Sequence, residues 1–185
     1  MRKGTYICIL TAVFAAVLFC VPVLGAEGLD PCELFSQSDA EALFKEPVSP
    51  GVLRDSVTPA GKSCRYSFKK NGSVFGISVR VCTTAEIAAE GIYASAEDVF
   101  VRQVSARTSH EEASKTFQEV GVPGGEAFWS GTDLWVLKGD VLFLVTVHAP
   151  LEGVFKDMDE MDTALEKKDL DMSRHAAGVI LGRLQ

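Results

Sequence analysis

The residues of this 185-residue chain that could do chemistry are its five cysteines, its three histidines, an acidic run and one glycine-rich segment carrying tryptophan. Cys82 could act as a thiolate nucleophile with His148 or His175 as its base, because covalent catalysis by cysteine needs a proton acceptor within reach. Nothing in the local sequence supports such a pair, and a buried free cysteine ordinarily behaves as a small hydrophobe. His110, His148 and His175 fall on three separate segments, and neither they nor the cysteines have zinc-site spacing. Asp157, Asp159 and Asp162 invite a calcium reading. An EF-hand loop starting at Asp157 would place Asp162 where glycine is needed and Lys168 where glutamate is needed, so the motif fails. No G-x-S-x-G, S-x-x-K or paired-carboxylate signature points to a hydrolase. Neither a metal nor a cofactor is expected.

The segment GVPGGEAFWSGTDLWVLKGDVLFLVTV, residues 121–147, raises a different possibility: glycines that cradle a phosphate. A dinucleotide loop needs G-x-G-x-x-G between strand and helix, and a P-loop needs G-x-x-x-x-G-K-[ST]. Gly121, Gly124 and Gly125 fit neither spacing, and strand pattern follows them, so no helix N-terminus is present to hold an anion. These glycines turn the chain. The aromatics beside them, Phe128, Trp129 and Trp135, are the remaining binding candidates, since aromatic side chains bring large contact area at low entropy cost. They could equally close one end of the core. They point to a non-enzymatic module that binds a small apolar ligand, a protein partner or a second copy of the chain as a homodimer. The alternative is an enzyme in which Cys82 or the Asp157–Asp162 acidic cluster supplies the chemistry.

Elements must position these residues, and two hairpins are legible. Asn71-Gly72 divides CRYSFKKNGSVFGISVRVC into two alternating halves, the strongest short hairpin signal. A two-residue turn there sets Phe68 opposite Phe75, Tyr66 opposite Ile77 and Cys64 opposite Val79. Side chains alternate along a strand, so Cys82 points to the other face from Cys64. Cys32, at the mouth of the first helix, can then reach Cys64 if that helix packs on the Tyr66/Phe68 face, leaving Cys82 buried and free. In the second hairpin Gly139 sits at the first central position, as a type II′ turn requires. Pairing Lys138 with Val141 puts Trp135, Leu137, Leu142 and Leu144 on one face and Leu134, Val136, Phe143, Val145 and Val147 on the other. Both faces are apolar, so both must be covered. Helices can cover one; a curled sheet, a partner subunit or a ligand is expected on the other.

Helices are expected from a capping box at Ser38–Glu41, ended by Pro47, and from a second box at Thr83–Glu86, broken at Gly91. A further stretch to about Thr108 carries Ile92, Ala96, Val99, Phe100 and Val104 as one stripe. Residues 47–62 read as loop and residues 116–120 as a short strand. The acidic run 157–171 leads into a closing helix that docks on the sheet through Met172, Ala176, Val179, Ile180 and Leu184. The fold class is α+β: a mainly antiparallel sheet built from hairpins, with helices packed on it, in one compact domain.

Arg2 and Lys3, an apolar stretch from Ile7 to Leu24, Pro22, and the small residues Gly25 and Ala26 have the layout of a secretory signal peptide. Residues 1–26 are expected to be removed, leaving a single domain over 27–185 that is periplasmic or extracellular. An uncleaved segment would be a membrane anchor, and Cys20 would be a lipid-attachment site but for the bulky Phe19 before it. Cleavage takes two of the 18 basic residues and none of the 25 acidic ones, so the net charge of −7 becomes −9. Such a field repels nucleic acid and anionic lipid, and contact with a membrane is expected only through the N-terminal segment.

Pro31-Cys32-x-Leu34, Cys64-x-Tyr66, Val122-Pro123-Gly124-Gly125-x-Ala127-x-Trp129 and Leu137-x-Gly139 together resemble a broad group of small exported bacterial proteins and lipoproteins. Their pattern is a PC-x-L helix start, a C-x-Y strand, a G-x-G-x-E-A-x-W turn, a K-G-x hairpin and a final helix, and it would span most of residues 30–185. The resemblance implies export and a compact α+β domain with a Cys32–Cys64 bridge, and it lends no catalytic residues. This chain departs from the pattern where Gly125 directly follows Gly124, and it adds Cys82.

Overall fold

The computed structural model describes residues 28–184; the N-terminal segment with Cys8, Cys20 and the expected cleavage region lies outside them. Asn71 and Gly72, at φ +52° and +83°, close the hairpin of β2 (Ala60–Lys70) and β3 (Ser73–Thr83). The register has Phe68 against Phe75, Tyr66 against Ile77 and Cys64 against Val79. Gly139, at φ +59°, turns β6 (Asp133–Lys138) into β7 (Val141–His148), with Lys138 paired to Val141. Both turns supply the positive φ that lets a two-residue connection follow the twist of its strands.

One strand was not expected. Residues 52–57 form β1 (Val52–Val57), an antiparallel partner of β2, where the prolines and glycines suggested a loop. Five of its six residues are exposed, so burial imposes no alternation of apolar and polar side chains on it. With β4 (Gln118–Glu119) and β5 (Glu126–Trp129), the strands make one antiparallel seven-stranded sheet in the order β1-β2-β3-β7-β6-β5-β4.

Strand alternation divides the core in two. Cys64, Tyr66, Ile77, Val79, Val136, Phe143 and Val145 project to one face, beneath α1 (Pro31–Leu34), α2 (Gln37–Phe44) and α6 (Met158–Arg183). Cys82, Phe128, Trp135, Leu137, Leu142 and Leu144 project to the other, beneath α3 (Thr84–Glu90) and α4 (Ala96–Ser109). The face for which a curled sheet, partner or ligand was expected is therefore covered by the chain's own helices. Thr83 ends β3 and at once caps α3 through a reciprocal box with Glu86, which directs Ile87 onto that face; Ala96, Val99 and Phe100 follow it. Ile92, expected in the same stripe, sits in the connection and is exposed. The four-residue α5 (Glu111–Ser114) leads into β4.

The first capping box lies two residues upstream of its expected place. Ser36, not Ser38, caps α2: its Oγ accepts from Asp39 N–H (3.3 Å) while Asp39 Oδ2 accepts from Ser36 N–H (2.7 Å). Asp39 serves a second purpose, accepting both Nη donors of Arg183 (2.6 and 3.0 Å), so the last turn of α6 is tied to the first turn of α2. Burial alone would raise the Asp39 carboxyl. The hydrogen bonds from Arg183 and Ser36 outweigh it and hold the group below the usual aspartate range.

α6 begins where Asp157 accepts from Glu160 N–H (2.9 Å), so the acidic run is the first half of one 26-residue helix and not a separate segment. Its inner face buries Leu170, Ala176, Ala177, Ile180 and Leu181, and also Asp169, whose Oδ1 accepts the Ala149 N–H at 3.0 Å. Burial pushes the Asp169 carboxyl above its ordinary value, against the pull of that hydrogen bond and of nearby His148 and Lys168. The folded chain thus holds the Asp169 proton more tightly than the unfolded chain does. The contribution of this group to stability therefore declines as pH rises from the usual aspartate range through the raised folded value. Asp169→Asn keeps the acceptor and removes the charge, so its melting temperature at pH 7 should equal or exceed that of the parent. The advantage should shrink toward pH 4, and calorimetry at both pH values tests it; a loss of stability at pH 7 would show that the charge itself is needed.

Candidate functional site

Cys32 and Cys64 form the one disulfide among the described residues, with Cα atoms 5.2 Å apart. The bridge pins α1 to β2, where the Tyr66 hydroxyl also donates to the Phe35 carbonyl (2.8 Å). Cys82 is fully buried on the opposite face, its thiol facing the Pro59 carbonyl at 3.8 Å. Burial pushes that thiol up to about 12, so almost no thiolate exists at neutral pH. Asp157 is committed to capping α6. Among the described residues no group of three or more His, Cys, Asp or Glu side chains could hold a metal ion, and no helix is long and apolar enough to cross a membrane.

The three aromatics do not share a surface. Trp129 lies under α6, 1 % exposed, with its Nε1–H donated to Glu166 Oε1 at 3.0 Å. Phe128, the preceding residue, necessarily faces the other way and stacks on Trp135, ring centroids 5.7 Å apart and planes 9° from parallel. Arg107 of α4 lies over both rings, 5.9 Å from Phe128 and 5.8 Å from Trp135. The half-buried guanidinium forms a cation–π arrangement with this aromatic pair.

Of the three, only Phe128 borders an open cleft with an apolar wall among the described residues. That cleft, about 610 Å³, opens where the middle of α4 approaches the β4–β5 edge. Phe100, Val101, Val104, Phe117 and Phe128 form its apolar wall, and Glu119 and Glu126 stand at its margin. Val101 is 56 % exposed, an apolar side chain on the solvent side of α4 that the core does not use. Val101 and Phe117 were not singled out from the sequence. Val101 departs from the buried stripe, and that departure is the signal that could have marked it. The turn at residues 122–125 is closed by a bridge between Val122 and Gly125 and leads straight into β5, so no helix N-terminus faces it.

Comparison with known proteins gave no matching family model, no matching curated protein and no matching solved structure.

Proposed function

We propose that this chain is an exported, non-enzymatic binding module of the cell envelope, of the kind its PC-x-L and C-x-Y pattern resembles. Its ligand is a small apolar molecule seated in the cleft between α4 and the β4–β5 edge. The observation that carries this reading is the cleft itself: about 610 Å³, within the usual range for small-molecule sites, with an aromatic and aliphatic wall. The carboxylates Glu119 and Glu126 at its margin favour a neutral or cationic ligand over an anionic one. Phe128 contributes contact area, while Trp135 and Trp129 hold β5 and β6 rigid behind it. A buried disulfide suits an oxidising compartment, and with the N-terminal apolar segment it supports export to a periplasm or the cell exterior.

The neutral fluorophore N-phenyl-1-naphthylamine tests the cleft directly. Titration into the full chain should give saturable, one-to-one enhancement. Val101→Glu places a charge on the apolar wall at an exposed position, where folding tolerates it. It should weaken binding about tenfold or more, at an unchanged melting temperature, because the ligand would have to desolvate the new carboxylate. Absence of saturable binding by the parent chain, or equal binding by Val101→Glu, would overturn the assignment.

A further inference from the structure

The face covered by α3 and α4 is not covered all the way to β1. On its open half the registers set side chains of adjacent strands in rows. One row runs Arg54, Ser63, Arg80 across β1, β2 and β3, then continues through Leu144 to Trp135. The next runs Val52, Arg65, Ser78, Thr146, with Asp133 at its end. Two hollows lie along these rows. A cavity of about 280 Å³ beside α4 is walled by Arg80, Trp135, Gln103, Tyr93 and Ser78. A groove of about 400 Å³ continues over Arg54, Ser63, Arg65 and Ser67, and Ser78 belongs to both.

Donors along this strip exceed acceptors. Among the described residues Arg54, Arg65 and Arg80 have no carboxylate within 4.0 Å, although six other cation–carboxylate pairs form elsewhere. Trp135 is 6 % exposed, and its Nε1–H is buried without an acceptor. A buried donor left unmatched costs the fold free energy. The one carboxylate of the cavity, Asp133, accepts the hydroxyls of Thr146 (2.6 Å) and Thr132 (3.0 Å) and pairs with none of the three arginines. Three unpaired guanidinia on neighbouring strands repel one another and give the fold no ion pair in return, in a chain whose net charge is −7.

We propose that this strip is a second site, distinct from the apolar cleft, and that it binds an extended acidic polypeptide segment through Arg54, Arg65 and Arg80. Four strands lie side by side under it, a width of ~14 Å at the usual strand spacing, which four or five extended residues span. The Arg80 end receives one carboxylate. Arg54 and Arg65 receive others, the serines along the rows serve the peptide backbone, and the exposed Val52 and Val74 flank it. Charge extent favours a short peptide over a bilayer or a duplex. The local positive field fades within a Debye length of ~10 Å at 0.1 M salt, and a larger polyanion would run past the strip onto an acidic surface.

Fluorescence anisotropy with a labelled hexaglutamate peptide tests the proposal, with labelled single-stranded dT12 and phosphatidylglycerol vesicles as competing probes. Hexaglutamate should bind saturably at low salt. Arg80→Gln and the double variant Arg54→Gln/Arg65→Gln should each weaken it about tenfold, whereas Arg174→Gln, an exposed arginine of α6, should leave it unchanged. No binding, equal loss in the Arg174→Gln control, or tighter capture of dT12 or vesicles than of the peptide would each overturn it. These outcomes are independent of naphthylamine binding, so either site can fail without the other.

Discussion

Replacing both bridge cysteines, Cys32→Ala with Cys64→Ala, is expected to cost this protein ~3–4 kcal/mol, the chain-entropy value for a loop of this length. The two residues are 32 positions apart, so the bridge closes a long loop in the unfolded chain and removes much of its freedom. The native state depends on it as well. A four-residue helix has no stability of its own, and α1 is held by the bridge, the Tyr66 hydroxyl and the Asp30 carboxylate that caps Cys32 N–H at 2.7 Å. The midpoint of thermal unfolding should fall by about 10 °C, at the ~2–4 °C per kcal/mol usual for domains of this size. Alanine is the sound replacement, because serine at the fully buried Cys64 would add an unmatched hydroxyl. Cys82 provides the control: its buried, largely protonated thiol should resist alkylation at pH 8 in the native parent chain and react once the chain is unfolded. A double variant within 1 kcal/mol of the parent would show that the sheet, not the staple, secures α1.

Trp129→Ala and Trp135→Ala should each remove about 3–5 kcal/mol, the usual cost of truncating a buried tryptophan. The two act on different cores. Trp129 fills the layer beneath α6, and its loss also strands the Glu166 carboxylate. Trp135 fills the layer beneath α4, where its loss leaves Phe128 and Arg107 without the ring on which they lie. Urea denaturation of each variant measures the effect. If either variant kept the parent's stability, that ring would not be a core element, and its place would be at an open surface.

These expectations show how far local sequence carried. Asn71-Gly72 and Gly139 each specify a turn, and a turn fixes its register, so the pairing of Cys64 with Val79 and of Trp135 with Leu144 followed from a few residues. The register then separated Cys64 from Cys82, and the disulfide followed. β1 was not legible because an exposed edge strand carries no buried periodicity. The shift from Ser38 to Ser36 was not legible either: two serines compete for one helix start, and the Asp39 that completes the Ser36 box is also held by Arg183, 144 residues away. The apolar second face of the β6–β7 hairpin was correctly seen to need a cover. Which segment supplied it depended on the way α3 leaves β3, a matter of three-dimensional path. Arg65 and Arg80 already share a face of the legible β2–β3 hairpin, but Arg54 joins them only through β1, the strand that the sequence hid.

The order β1-β2-β3-β7-β6-β5-β4 is two meanders, one of the first three strands and one of the last four, joined along β3 and β7 alone. A chain made from its N-terminus finishes β3 at Thr83 and must wait until Val141 for the strand that seals it. During that interval β3 offers a free row of amides and carbonyls with Ile77, Val79 and Val81 beside it, an apolar edge able to pair with any other extended chain. Newly made copies are therefore most at risk of sticking to one another while half-synthesised, and a chain stopped before residue 141 should be far more prone to aggregate than the whole. The finished molecule hides this seam in the middle of its sheet, and its outer edges fall to β1 and the two-residue β4.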